Sequence, residues 1–108
     1  MLNDGSDRVW KALSDPTRRG LLDLIKDSPK TTGELCESFG DLTRFAVMKH
    51  LAILEEAGLV IVRREGRQRW NYLNAVPIQQ IYERWMSRFA APLAASMLKL
   101  KRHAEKEE

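Results

Sequence analysis

The chain has 108 residues, 44% of them hydrophobic and 31% charged, with a net charge of +3. This suits one small globular domain over residues 1–108, with a modest core that a partner subunit would help to complete. No apolar run approaches the roughly 20 residues that span a membrane, and Met1 to Trp10 is polar rather than a basic-then-apolar leader, so a cytoplasmic, soluble protein is expected. The lone Cys36 has no partner for an internal disulfide or a thiolate metal pair within the chain.

In chain order, Val9, Ala12 and Leu13 share a face of a short first helix over Asp7 to Leu13, which stops before Asp15-Pro16. Asp15 is placed to cap a second helix with Pro16 at its first position, and Leu21, Leu22 and Ile25 give it an apolar face until Ser28-Pro29. Thr31 with Glu34 three residues on forms a capping box that starts a third helix carrying Leu35 and Phe39. After the break at Gly40-Asp41-Leu42, Thr43 caps a longer helix in which Val47, Leu51 and Leu54 share a face, and Gly58 in Ala57-Gly58-Leu59 closes it.

Val60 to Arg64 and Gln68 to Leu73, joined by Glu65-Gly66-Arg67, read as a β-hairpin with an arginine-rich tip and with Trp70 and Tyr72 at period two. Beyond Asn74 and Pro77, Ile78, Ile81, Trp85 and Phe89, then Leu93, Met97 and Leu100 past Pro92, predict a long C-terminal helix over 78–103 with a kink at Pro92. The charged stretch from Lys99 to Glu108 is expected to fray.

Helix, tight turn, helix and basic hairpin is the order of a winged helix-turn-helix: helix-turn-helix over 31–57, wing over 60–73. The fold expected is mainly α with a small β-hairpin. Between Thr43 and Leu73, Arg44, Lys49, Arg63, Arg64, Arg67 and Arg69 outnumber Glu55, Glu56 and Glu65 by three, so the whole excess charge lies in this stretch. With the second helix in the major groove, Arg44 is suited to guanine, Lys49 to guanine or phosphate, Phe45 and Met48 to thymine methyl groups, and Thr43 to phosphate while capping. The alternative is that Phe45 and Met48 are local packing and that Arg44 and Lys49 are solvated charges. Arg63, Arg64, Arg67 and Arg69 suit backbone phosphates or a narrow minor groove.

The sequence resembles the ArsR family of bacterial repressors over about residues 8 to 90. The resemblance is carried by Asp15-Pro16-Thr17-Arg18-Arg19, Glu34-Leu35-Cys36, Val47-Met48-Lys49-His50-Leu51, Glu55-Glu56-Ala57-Gly58-Leu59-Val60 and Arg64-Glu65-Gly66-Arg67. It implies a homodimer paired through the N- and C-terminal helices that represses transcription on an operator and is released by an inducing signal. For such a dimer, Val9, Ile81, Trp85, Phe89 and Leu93 are the interface candidates, although Trp85 fits an intrachain core equally well. His50 in this position is read as packing or bonding beside DNA rather than binding a metal, and it joins the DNA-binding candidates.

The metal-sensing pattern of such proteins is broken here. Cys36 is followed two residues later by Ser38 rather than a second cysteine, and Tyr82 to Lys99 contains no histidine, so no metal and no cofactor is expected. Cys36 fits a small buried apolar residue, with a redox role through an intermolecular disulfide as the other reading. No phosphate loop, carboxylate pair with supporting histidine or nucleophile motif points to an enzyme. The expected partner is double-stranded operator DNA, with no membrane and an effector the sequence does not name. The rival reading is a winged-helix protein-interaction module that binds no DNA.

Overall fold

The computed structural model describes residues 5–106. The elements are α1 (Ser6–Leu13), α2 (Pro16–Ile25), β1 (Lys30–Thr31), α3 (Thr32–Ser38), α4 (Arg44–Glu56), β2 (Val60–Glu65), β3 (Gln68–Leu73), α5 (Val76–Ile81), a π-helical turn over Tyr82–Met86, and α6 (Ser87–Lys106). The chain divides into two units between Pro77 and Ile78.

The helix boundaries in the first unit follow from hydrogen bonds that satisfy the free backbone groups at helix ends. The Asp15 carboxylate accepts from the Arg18 backbone N–H at 3.0 Å. Thr31 Oγ1 accepts from the Glu34 N–H at 3.1 Å and Glu34 Oε1 accepts from the Thr31 N–H at 3.3 Å, completing the capping box. Thr43 Oγ1 accepts from the Ala46 N–H at 3.0 Å. At the other end of α4, the Gly58 N–H donates to Glu55 O at 3.0 Å and the Leu59 N–H donates to Leu54 O at 2.9 Å. That is a Schellman closure, and the φ of 77° at Gly58 is the left-handed conformation it requires.

The core of this unit joins Val9 and Ala12 of α1, Leu21, Leu22 and Ile25 of α2, Leu35 of α3, Val47, Leu51 and Leu54 of α4, and Leu59 and Val60, all buried. The hairpin is tight: Glu65 pairs with Gln68, and Gly66 at φ 62° turns the chain. A short third strand, which has no sequence signature of its own, pairs β1 antiparallel with β3 through Lys30 and Asn71 and through Thr31 and Trp70. The sheet order is β1-β3-β2.

The buried residue of β3 is Asn71, flanked by the half-buried Trp70 and Tyr72. Its amide Nδ2 donates to Lys30 O at 3.2 Å and to Thr32 Oγ1 at 3.1 Å, which fastens the hairpin to the start of α3. The donors of this buried amide are occupied, whereas its Oδ1 and the neighbouring Trp70 Nε1 are buried without a hydrogen-bond partner.

In the second unit, the interruption of the C-terminal helix falls at Tyr82–Met86, where the Ser87 N–H donates to Tyr82 O, and α6 then runs from Ser87 through Pro92 as one helix. Against the expected fraying of Lys99 to Glu108, the helix continues to Lys106, and Glu107 and Glu108 lie outside the described residues. The π turn also offsets the faces on its two sides. Ile81 is buried, whereas Trp85, four residues on, is 46% exposed.

Candidate nucleic-acid interface

Because Val47, Leu51 and Leu54 are buried, the opposite side of α4 is turned outward. Thr43, Arg44, Phe45, Met48 and Lys49 are all exposed there. Phe45 is 75% exposed, so it is not packed locally, and Lys49 Nζ lies 6.0 Å from the centre of its ring. Thr43 remains on the outer surface while its hydroxyl oxygen caps the helix. The first turns of α4 thus present a cation, an aromatic ring, a thioether and a second cation on one accessible face.

In the hairpin, Arg63, Arg64 and Arg67 are exposed. Arg69 differs: its Nη2 donates to Glu55 Oε2 of α4 at 2.8 Å, so its charge is already paired within the protein. The cationic surface of the hairpin therefore centres on Arg63, Arg64 and Arg67.

His50 also departs from the open face. Its Nδ1 lies 3.2 Å from Arg18 Nη1 and 3.9 Å from Asp15 Oδ2, which places the ring against α2. The spacing of Val47, His50, Leu51 and Leu54, at i, i+3, i+4 and i+7, is the signal that identifies this packed stripe. Arg18, only 9% exposed, donates from Nε to Ala12 O at 2.8 Å and from Nη2 to Lys11 O at 3.0 Å. Arg19 Nη1 donates to Leu13 O at 2.7 Å. Two adjacent arginines thus close the carbonyl end of α1, where positive charge is favourable. The Asp15 carboxyl is held below the ordinary carboxylate value of 3.8, first by the Arg18 backbone N–H and then by the charges of Arg18 and His50, against an opposing effect of burial.

Of the residues expected at a dimer interface, Val9 and Ile81 are each only 5% exposed. Trp85, Phe89 and Leu93 are open, at 46%, 65% and 63%. The Trp85 and Phe89 rings are stacked with centroids 6.3 Å apart. Cys36 is half-buried, and among the described residues no group of three or more His, Cys, Asp or Glu side chains is arranged to hold a metal ion. No helix among the described residues is long and apolar enough to cross a membrane.

Helix, turn, outward-facing helix and cationic hairpin define a winged helix-turn-helix protein. Residues 13–63 match a family described as a helix-turn-helix domain. The transcriptional repressor SdpR of Bacillus subtilis is 36% identical over 83 residues, covering 77% of this chain and 90% of that protein. A crystal structure of an ArsR family transcriptional regulator aligns with a TM-score of 0.75 and 28% identity over 87% of this chain and 95% of the other. An ArsR-like transcriptional regulator from Rhodococcus sp. RHA1 aligns with a TM-score of 0.72 and 26% identity over 96% and 94%. The chain belongs to the ArsR family of winged helix-turn-helix transcriptional regulators, and it is a DNA-binding regulator rather than a member of an enzyme family.

Proposed function

We propose that the protein represses transcription as a homodimer bound to a pseudo-palindromic operator, with no catalytic step. The observation that carries this reading is the exposed face of Arg44, Phe45, Met48 and Lys49 on the first turns of α4, beside a hairpin with three open arginines. In this reading, Arg44 and Lys49 read base edges, Phe45 and Met48 contact thymine methyl groups, and Thr43, Arg63, Arg64 and Arg67 hold phosphates. Arg69 contributes less because Glu55 neutralises it.

The dimer half of the reading is supported by the open stripe of Trp85, Phe89 and Leu93, three large apolar side chains at helical spacing of which the first two are stacked. A two-fold dimer sets half-sites about one helical turn apart, roughly 34 Å, or a multiple of it. The repressing role is supported by the likeness to SdpR, which is a transcriptional repressor. A cytoplasmic location is part of the same proposal, since the template is chromosomal DNA.

The test is binding to the DNA upstream of its own gene and to random sequence over a range of salt. Steep loss of affinity with salt, together with preference for one sequence, supports the regulator. Absent or salt-independent binding would favour a protein-interaction module.

A further inference from the structure

We propose that His50 is a positioning residue for α4, acting through Arg18, and makes no contact with DNA itself. The inference rests on the reading of α4 as the helix that enters the major groove. An arginine side chain donates and never accepts, so the 3.2 Å contact between Arg18 Nη1 and His50 Nδ1 is a hydrogen bond in the neutral ring tautomer that carries its proton on Nε2. The guanidinium is itself fixed, because Nε and Nη2 are occupied by Ala12 O and Lys11 O of α1.

One planar group therefore joins the end of α1, the start of α2 and the middle of α4. The apolar contacts of Val47, Leu51 and Leu54 hold α4 against the core but are non-directional. A hydrogen bond from a fixed guanidinium has a preferred direction, and it sets the roll of α4 about its own axis. His50 directly follows Met48 and Lys49, so a small roll at His50 moves both side chains across the groove. Base readout tolerates displacements of a fraction of an ångström poorly, while phosphate contacts made by flexible arginines tolerate them well.

The test uses His50→Ala, His50→Asn and His50→Gln in the full chain, measuring affinity for the selected operator and for random DNA across salt concentrations, with thermal melting alongside. Asparagine puts an oxygen acceptor near the position of Nδ1, glutamine puts it farther out, and alanine has none. His50→Ala should lose about tenfold in operator affinity, in line with removal of a hydrogen bond to a charged group, with random-DNA affinity and the salt slope unchanged. His50→Asn should restore most of the loss and His50→Gln less. If His50→Ala fails to fold, the comparison of Asn with Gln decides alone. Equal weakening on all sequences with a shallower salt slope would mean that His50 touches phosphate, and equal loss in the Asn and Ala variants would mean that no acceptor is needed. Either result overturns this inference alone, whereas a wild-type protein that binds no DNA overturns the reading of α4 with it.

Discussion

Arg69 Nη2 lies 2.8 Å from Glu55 Oε2, an ion pair that ties β3 of the wing to the last turns of α4. Both side chains are partly exposed, so the pair should add no more than about 1 kcal/mol to stability. Its consequence for binding is larger, because it removes one arginine from the charge available to phosphates. Arg69→Ala should therefore weaken DNA binding less than Arg67→Ala does. Glu55→Gln should raise affinity for random DNA, and the salt slope should steepen by up to about one unit as Arg69 is released. Equal losses in the Arg69 and Arg67 variants would show that Glu55 gives up its partner when DNA arrives.

Arg44 and Arg67 are both exposed, but one is on the first turn of α4 and the other at the hairpin tip. Arg44→Ala should relax preference at one operator position at a cost of about 1–3 kcal/mol, whereas Arg67→Ala should weaken all sequences alike and reduce the salt slope by about one. Binding to a panel of single-base operator variants separates the two, and the opposite pattern would exchange their roles.

The helical part of the fold is legible because its boundaries are local chemistry. Asp15-Pro16, Thr31 with Glu34, Thr43 and Gly58 each act within four residues, and the structure uses each as a cap. What escapes is set by distant partners. Two residues have no periodicity, so β1 exists only through its pairing with β3. The alternation of Trp70 and Tyr72 draws attention away from Asn71, whose burial depends on Lys30 and Thr32 far along the chain. Val9 is apolar whether it meets a partner or the core of its own unit, and spacing along the chain does not distinguish the two; in the structure it is buried with Ala12 of the same helix. The outward face of α4 follows from helical spacing, which also places His50 on the packed stripe. The pairing of Arg69 with Glu55 has no such local signature.

Asp15 links pH to stability. Its folded-state pKa lies below the ordinary 3.8, so on acidification the unfolded chain takes up the proton first. The stabilisation is present in full above the unfolded value and is lost as pH falls through the lower folded one. Asparagine also caps helices but does not titrate there. Wild type should exceed Asp15→Asn in urea midpoint at neutral pH, with the advantage shrinking as pH drops below about 4. A constant difference across that range would refute the assignment.

Gly58 closes α4 at φ 77°, and a Cβ there would meet Pro77 Cγ at 3.8 Å, an ordinary contact. The cost of Gly58→Ala is therefore conformational rather than steric, roughly 1–2 kcal/mol. Gly66→Ala, at φ 62° with open space around it, should cost a similar amount. Urea unfolding of the two variants checks this. A much larger loss at Gly58 would mean that the Schellman closure opens rather than strains.

Phe89 is the most exposed member of the Trp85, Phe89 and Leu93 stripe, at 65%. A charge there leaves the core of the first unit intact but is costly to bury between two subunits. Phe89→Glu should therefore shift the protein to a monomer in sedimentation experiments with little change in helical content. Linking two reading heads raises avidity by about 10²–10⁴ without any new contact. The variant should accordingly lose operator affinity by a factor of that order, while a single half-site is bound as well as before. A Phe89→Glu protein that remains dimeric would place the interface elsewhere, and a monomer that keeps full operator affinity would remove the two-fold reading altogether.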